Sequence, residues 1–172
     1  MVTSLFPDAL ETRAAALVKA ATERGLRIAT AESCTGGLIA GLLTEIAGSS
    51  AVLERGFITY SNHAKAELLG VPKDLLLAHG AVSEPVVRAM AEGALARSRG
   101  HIAVAVTGIA GPGGGSAEKP VGLVHFALAR EGGIVLHVER RFGDIGRSAV
   151  RLATLDQALK LLEQAVAAPL LA

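Results

Sequence analysis

The sequence has few of the residues that mark disulfide-stabilised, membrane-spanning or nucleic-acid-binding proteins. A single cysteine excludes an internal disulfide framework and is typical of a reducing cytoplasm. Aromatic residues make up 3% of the chain and the formal net charge is +1, which argues against a nucleic-acid surface. No apolar run reaches the length of about eighteen residues that a membrane span needs, and the first residues lack the pattern of a signal peptide. These absences predict a cytoplasmic protein with neither a membrane nor a nucleic-acid partner.

Apolar residues, in contrast, are abundant. Hydrophobic side chains account for 51% of the 172 residues. A chain of this length and composition is large enough to bury a well-filled core without covalent staples. No internal repeat or low-complexity linker divides it, so the sequence predicts a single domain over residues 1–172.

Helical and strand-like patterns alternate along the chain. Apolar residues three and four apart predict helices, whereas short β-branched or continuous apolar runs predict strands. The predicted helices cover residues 8–24, 37–46, 83–99 and 147–168, together with a short helix that Ser61 and Asn62 cap and that Gly70 and Pro72 end. The predicted strands cover residues 26–30, 52–60, 101–107, 121–129 and 134–142. Helices alternating with strands, followed by a hairpin, predict an α/β fold: a three-layer α/β/α domain with a mixed, mainly parallel sheet.

Polar residues that could take part in catalysis or ligand binding follow three of the predicted strands. Ligands of such folds bind beyond the carboxyl ends of the strands, where Ser33, Tyr60 and Thr107 fall. In the first of these turns, Glu32 to Gly37, a strand runs into a helix through hydroxyl residues and glycines. Free backbone N–H groups at the helix start suit an anionic or polar ligand. The alternative is that Ser33 and Thr35 merely cap the helix while the glycines ease the backbone.

The second chemical stretch runs from Thr59 to Lys65. Lys65 lies about one helical turn beyond the end of a strand, and such a lysine acts as a general base if burial or cationic neighbours lower its pKa. A serine and a lysine then work together, and Tyr60 relays or donates a proton. The alternative is a solvated helix lysine and a strand-end aromatic residue.

The third stretch is a glycine-rich segment over residues 107–122. It matches neither a P-loop nor the dinucleotide-binding fingerprint. Glycine at this density lets backbone N–H groups converge on an anion, although a mobile connection explains it equally. Cations available for a phosphate are Lys119, Arg147 and Arg151, each of which is otherwise an ordinary surface residue. The five histidines show no metal spacing, so no metal site is predicted.

Taken together, these stretches resemble the CinA C-terminal domain family, and the resemblance covers nearly the whole chain. The motifs that carry it are Thr30-Ala-Glu-Ser-Cys-Thr-Gly-Gly37, Ala47-Gly-Ser-Ser50, Arg55-Gly-Phe-Ile-Thr-Tyr-Ser-Asn62 with Lys65, His79-Gly-Ala-Val-Ser-Glu-Pro85, and Gly108-Ile-Ala-Gly-Pro112 through Lys119-Pro-Val-Gly122. One departure is local. The family's Gly-Asp-Arg before the last helix is here Gly143-Asp-Ile-Gly-Arg147, and a two-residue insertion places the motif arginine at Arg147.

The resemblance implies an enzyme of nicotinamide nucleotide recycling. Characterised members are nicotinamide-nucleotide amidases, which hydrolyse the carboxamide of nicotinamide mononucleotide to the acid and ammonia without a metal or cofactor. The family also implies an anticodon-binding-domain-like fold, frequent homo-oligomers, and a nucleotide as the small-molecule partner. Larger members carry a preceding domain that is absent here, so the chain resembles the stand-alone form.

Amide hydrolysis without metal needs a nucleophile, a base, an oxyanion site and a proton donor. The resemblance and the residue patterns together assign Ser33 as nucleophile, with Ser50 as its rival, Lys65 as base, Tyr60 as proton relay and Thr107 as a hydrogen-bonding neighbour. Glu32 is assigned to face the positive pyridinium ring, unless it serves the helix start. The predicted substrate-binding residues are Glu32, Thr35, Gly36, Gly108, Gly111, Gly113, Lys119 and Arg147.

Two other classes of function share some of these features. A module that senses a nucleotide without turning it over would keep the glycine loop but would not need Ser33 or Lys65. A protein-interaction domain linked to competence or DNA damage, as the family name suggests, would need an exposed apolar or basic patch. The sequence shows no obvious patch of this kind.

Overall fold

The computed structural model describes residues 4–169 of the chain. Within that range the chain forms six α-helices, five strands and one short 3-10 turn in a largely alternating order. The helices are α1 (Asp8–Glu23), α2 (Leu38–Thr44), α3 (Asn62–Leu69), α4 (Lys73–His79), α5 (Glu84–Ala96) and α6 (Arg147–Ala167). The strands are β1 (Ile28–Glu32), β2 (Leu53–Ile58), β3 (Ile102–Gly108), β4 (Leu123–Arg130) and β5 (Leu136–Arg141), and the 3-10 turn is Ser49–Ala51.

The five strands form one mixed sheet in the order β2-β1-β3-β4-β5. Strands β2 and β3 both pair with β1 in parallel, and helices connect β1 to β2 and β2 to β3. No helix separates β3 from β4 or β4 from β5, and both of these pairs are antiparallel. Parallel neighbours need a crossover connection whereas antiparallel ones do not, so the order of elements explains the pairing. The predicted mixed sheet is confirmed.

Helices cover both faces of the sheet and make the predicted three layers. One core cluster joins the sheet to α1, α2 and α6, and the other joins it to α3, α4 and α5. The two faces differ in side-chain size. The face toward α5 carries the small residues Ala29, Ala31, Ala103, Ala105, Ala127 and Ala129, whereas the opposite face carries Ile28, Ile102, Val104, Val106 and Phe126. Because successive strand residues alternate between faces, the small residues fall on one side.

The first strand starts two residues later than predicted, at Ile28 rather than Leu26. Gly25 has a φ of +63° and donates its N–H to Thr22, while the N–H of Leu26 donates to Ala21 at 2.9 Å. This pair of bonds is a Schellman motif that closes α1. Leu26 therefore completes the helix end, and the strand extends instead to Glu32, next to Ser33.

Helix α4 was not predicted. The sequence correctly ends α3 near Gly70 and Pro72, but Pro72 is also the residue just before a second helix that runs from Lys73 to His79. Proline at a helix start is compatible with the helix because its missing N–H would have no partner there. Within residues 4–169 no helix combines the length and the hydropathy needed to cross a membrane.

Gly93 allows α5 to lie directly against the end of α3. A Cβ atom at this position would be 2.0 Å from the carbonyl oxygen of Leu69, which belongs to the backbone and cannot turn aside. Gly41 in α2 is different, since a Cβ atom there would meet only the ring of Phe6 at 3.5 Å. The close contact between helices therefore requires glycine at position 93, whereas position 41 has room for a methyl group.

The replacement Gly93→Ala should destabilise the protein by about 2–4 kcal/mol, because the two backbones must separate to admit the methyl group. The matched variant Gly41→Ala should leave stability unchanged or raise it by up to about 1 kcal/mol, as alanine is the better helix former. Urea unfolding of both variants measures the difference. Equal midpoints would show that α5 and α3 are not in backbone contact.

Candidate active site

A serine and a lysine meet at the carboxyl end of the parallel strands. Ser33 follows β1, and its N–H donates to the carbonyl of Val106 in β3 at 3.1 Å. The Nζ atom of Lys65 in α3 lies 2.9 Å from the Oγ atom of Ser33. Both residues are buried, Lys65 to 1% exposure. The pairing predicted from neighbouring strand ends is therefore present as a direct hydrogen bond.

The start of α3 determines where Lys65 points. The side chain of Ser61 accepts a hydrogen bond from the N–H of Ala64 at 3.0 Å and caps the helix, as predicted. Gly70, with a φ of +68°, ends the helix two turns later. Lys65 therefore lies in the first turn, close enough to reach back toward β1 and β2.

Burial changes the acid–base character of Lys65. Loss of hydration disfavours the ammonium form and lowers the pKa of Lys65 to about 8, while a negative charge on the neighbouring thiol of Cys34 would oppose this shift. Among residues 4–169, no carboxylate forms an ion pair with Lys65. With this pKa about a tenth of the lysine is neutral at pH 7 and about half at pH 8, and the neutral form is the one that a general base requires.

Two carbonyl groups orient the amine. Nζ of Lys65 donates to the carbonyl of Thr59 at 2.7 Å and lies 3.5 Å from the carbonyl of Tyr60. A neutral amine has two hydrogens and one lone pair. When the carbonyls take the hydrogens, the lone pair faces Ser33 and can accept its proton.

Glu32 serves the start of α2 rather than a ligand. Its carboxylate is fully buried and accepts hydrogen bonds from the N–H groups of Gly37, Ile39 and Ala40 at 3.1, 3.0 and 2.9 Å. The hydroxyl of Thr35 donates to the same carboxylate at 2.6 Å. The structure therefore disagrees with the prediction that Glu32 faces a pyridinium ring, and also with the prediction that these helix N–H groups are free for an anionic ligand.

The turn after Ser33 is held from both sides. Gly36, with a φ of +61°, donates its N–H to the carbonyl of Ser33, and Arg151 from α6 donates to the carbonyls of Cys34 and Thr35 at 3.2 and 3.0 Å. Thr35 and Gly36 thus shape the turn. Within residues 4–169, the N–H groups of Cys34 and Thr35 donate to no other residue. They are the backbone donors nearest to Ser33 along the chain.

Arg147 connects two of the predicted site segments. Its guanidinium donates to the hydroxyl of Tyr60 at 3.0 Å and to the carbonyl of Gly111 at 2.9 Å. Tyr60 is 62% exposed, so its ring stands at the rim of the site. The arginine is the first residue of α6, and Gly143 and Gly146, both at positive φ, accommodate the chain just before it. The structure therefore brings Arg147 together with Tyr60 and the glycine loop, two of the predicted site segments.

A row of side chains crosses the sheet beside Ser33. In the strand register Ser33 is next to Thr107, Thr107 is opposite His125, and His125 is opposite Glu139. The hydroxyl of Thr107 donates to the carbonyl of Ala81 at 3.0 Å, which fixes the loop before α5. Thr107 thus shares a face and an edge with Ser33, but its hydroxyl is occupied.

Lys119 and the glycine loop contact other parts of the chain than Ser33 and Lys65. The Nζ atom of Lys119 donates to the carbonyl of His79 at 2.6 Å. Gly108 lies so close to β4 that a Cβ atom would be 2.7 Å from Val124, whereas Gly113 is open on all sides. Residues of this loop line an open cavity of about 700 Å³ with Arg141 and Asp144. The loop therefore packs against β4 at Gly108 and borders an open cavity around Gly113.

Ser50 is not part of this site. It is exposed and lies in the 3-10 turn before β2, whereas Ser33 lies beyond the opposite end of the sheet. The six residues of β2 separate the two edges by roughly 20 Å. Within one chain Ser50 therefore cannot share Lys65 with Ser33, and its part as a rival nucleophile stays a prediction.

Two features near the site were not predicted from the sequence. Thr59, directly beside Ser33, was not predicted as a site residue. The imidazoles of His125 and His137 stack with centroids 5.2 Å apart and contact each other at 3.0 Å. Glu84 lies 3.4 Å from His137 and Glu139 lies 4.0 Å from His125, and burial lowers the pKa of both histidines. No cluster of three metal-binding side chains occurs in the described part of the chain.

The replacement Glu32→Gln should destabilise the protein by about 2–3 kcal/mol, because an amide offers a single oxygen to donors that now share two charged ones. Glu45→Gln, at an exposed position just after α2, is the matched control. Urea unfolding of both variants measures the loss. Equal stability of the two would show that the Glu32 carboxylate does not hold the helix start.

The fold and the Ser33–Lys65 pair define an α/β/α domain with a serine–lysine site at its strand ends. The family model of the CinA C-terminal domain matches residues 10–166, and the chain belongs to this family. The structure superposes on the competence/damage inducible protein CihA from Agrobacterium tumefaciens with a TM-score of 0.93 and 60% identity, covering 94% of this chain and 98% of that one.

The chain is similar to a nicotinamide-nucleotide amidohydrolase and to competence-damage inducible or CinA-like proteins. The nicotinamide-nucleotide amidohydrolase PncC of Escherichia coli K12 is 55% identical over 142 residues, which cover 82% of this chain and 85% of PncC. A putative competence-damage inducible protein of Symbiobacterium thermophilum is 62% identical over 122 residues, 71% of this chain. Matches to that protein and to two CinA-like proteins span only 29%, 39% and 37% of their lengths.

Proposed function

We propose that this chain hydrolyses the carboxamide of nicotinamide mononucleotide to nicotinate mononucleotide and ammonia, with Ser33 as nucleophile and Lys65 as base. The observation that carries the proposal is the 2.9 Å contact between a buried lysine Nζ and a serine Oγ at the carboxyl edge of the sheet. Support for the substrate comes from PncC, a relative that the chain matches over most of both lengths.

In the first step Ser33 attacks the carboxamide. Its Oγ forms a bond to the carbonyl carbon while its proton passes to the lone pair of Lys65, and the carbonyl electrons move to the oxygen. The tetrahedral intermediate then collapses and the carbon–nitrogen bond breaks. The leaving nitrogen takes the proton back from the Lys65 ammonium and departs as ammonia, which leaves an ester on Ser33.

In the second step water hydrolyses that ester. Lys65, neutral again, accepts a proton from the water as its oxygen attacks the ester carbonyl. Ser33 leaves and recovers a proton from Lys65, and the acid is released. The pair thus returns to its starting state, and every proton that Lys65 accepts is donated within the same step. The chemistry requires neither a metal nor a cofactor.

The N–H groups of Cys34 and Thr35 are the donors that we assign to the oxyanion. They belong to the turn that carries Ser33, and within residues 4–169 they make no other hydrogen bond. Arg151 fixes this turn through two carbonyls, so the donors are held in place before reaction. Preorganised donors of this kind stabilise the developing charge without rearrangement.

The remaining assignments concern the nucleotide. Arg147 and Lys119 are the cations for the phosphate, with backbone groups of Gly108, Gly111 and Gly113 beside them. Tyr60, at the rim and hydrogen-bonded to Arg147, orients the ring end of the substrate or relays a proton. A homo-oligomer and a cytoplasmic location stay predictions from the family resemblance and the composition.

A nucleotide-sensing or competence-related interaction domain is the alternative. A sensor has no use for a lysine that is buried to 1% exposure and directed at a serine, because desolvation of an amine destabilises its charged form. An amidase does have a use for it, since the same desolvation yields the neutral base. The buried pair therefore favours the enzyme.

The replacement Ser33→Ala should lower the turnover of nicotinamide mononucleotide by several orders of magnitude, because no other group can form the ester. Ser50→Ala should stay within about twofold of the unmodified protein, since Ser50 lies at the opposite edge of the sheet. Ammonia release in the presence of EDTA measures both. An active Ser33→Ala variant with an inactive Ser50→Ala variant would reverse the assignment.

The rate should depend on pH through Lys65. Below its pKa of about 8 the lysine is protonated and cannot accept a proton, so the rate should rise with pH and level off above that value. Lys65→Arg keeps the charge but never loses its proton, so turnover should fall on the order of a hundredfold to ten-thousandfold. Lys19→Arg, at an exposed position of α1, is the control. Near-normal turnover of Lys65→Arg would refute the lysine base.

A further inference from the structure

Thr59 lies directly beside the serine–lysine pair. Its N–H donates to the carbonyl of Glu32 at 2.8 Å, which continues the β1–β2 ladder by one residue and places Thr59 next to Ser33. Two residues earlier, Phe57 packs against the α5 side of the sheet. Alternation along the strand puts the side chain of Thr59 on that same face, where Lys65 also lies.

The hydroxyl of Thr59 has no hydrogen-bond partner. Thr59 is fully buried, and its Oγ1 atom is one of three buried side-chain atoms without a partner among residues 4–169. A buried hydroxyl without a partner normally costs stability, since it has given up its bond to water. The main-chain carbonyl of the same residue, in contrast, is occupied by Lys65 at 2.7 Å.

The number of hydrogens on Lys65 changes during the proposed reaction. The neutral amine has two hydrogens, and the carbonyls of Thr59 and Tyr60 accept them. The ammonium has three, and the third faces Ser33. Once Oγ of Ser33 is bonded to the acyl carbon it becomes an ester-type oxygen and a poor acceptor. Until the leaving nitrogen takes this third hydrogen, the ammonium has no good acceptor for it.

We propose that the hydroxyl of Thr59 is a positioning group that accepts a hydrogen bond from the Lys65 ammonium while Ser33 is bonded to the substrate. The inference rests on the proposed serine–lysine mechanism. A hydroxyl that is unpaired in the resting protein and paired in the charged intermediate stabilises the second state relative to the first, which is what accelerates a reaction. The ionisable neighbour of Lys65 is the thiol of Cys34, while the Glu32 carboxylate accepts hydrogen bonds from the start of α2.

The chain offers a matched control for this hydroxyl. Thr30 is also fully buried with an unpaired Oγ1 atom, but it lies between Ala29 and Ala31 and therefore faces the opposite side of the sheet. Replacing either threonine by valine keeps the shape and removes the unpaired hydroxyl. A purely structural role predicts the same outcome at both positions.

The test compares Thr59→Val, Thr59→Ser and Thr30→Val by thermal unfolding and by steady-state kinetics on nicotinamide mononucleotide. Thr59→Val should unfold at the same or a higher temperature, yet its kcat should fall about tenfold to a hundredfold with KM within about twofold. The acid limb of its kcat profile should move to lower pH by up to about one unit, because the ammonium loses an acceptor. Thr59→Ser should keep most of the activity, and Thr30→Val should keep all of it.

Unchanged kcat and an unshifted acid limb in Thr59→Val would overturn the proposal. Equal losses of unfolding temperature and kcat in Thr59→Val and Thr30→Val would overturn it as well, since the hydroxyl would then be structural. Failure of the underlying mechanism is separable. In that case Ser33→Ala or Lys65→Arg would itself retain activity, whatever Thr59→Val does.

Discussion

The position of Ser33 depends on one buried carboxylate. Glu32 ends β1 and accepts three backbone N–H groups of the next helix start, together with the hydroxyl of Thr35. The Glu32 carboxylate thereby joins β1, the following turn and the start of α2, and Ser33 is the next residue along the chain. The negative charge that a helix start attracts is supplied by the protein itself, so substrate anions must bind elsewhere. Arg147 and Lys119 are the cations that we propose for that task.

Burial of Lys65 is the second constraint, and it follows from packing rather than from any special chemistry. A short helix capped by Ser61 directs the lysine back across the strand ends, where the helices and the sheet exclude water. The same exclusion that lowers its pKa also removes competing partners, leaving Ser33 and two carbonyls. The packing of the fold thus brings Lys65 and Ser33 into direct contact.

The sequence predicted the features that depend on local residue patterns and missed those that depend on contacts between distant parts of the chain. The alternating elements, the Ser61 cap and the meeting of Ser33 with Lys65 follow from periodicity and from the rule that parallel strands share an edge. The role of Glu32 did not, because a carboxylate at a strand end serves a ligand or a helix equally well until the helix is placed. The motifs offered Ser50 as a rival to Ser33, and only the strand register shows that the two serines lie at opposite edges of the sheet. Thr59 has no local signal, since an unpaired hydroxyl is defined by its neighbours in space.

The contacts made by the stacked imidazoles of His125 and His137 depend on how many hydrogens the two rings carry. They stand between two carboxylates, Glu84 at the start of α5 and Glu139 on β5, so that four groups share three contacts. Two neutral rings bring two hydrogens and leave one contact with a lone pair facing a carboxylate. A third hydrogen completes the series and gives the pair one positive charge. Because burial lowers the pKa of both histidines, the folded protein binds this proton less readily than the unfolded chain, so acid destabilises the contact between the edge strand β5 and α5.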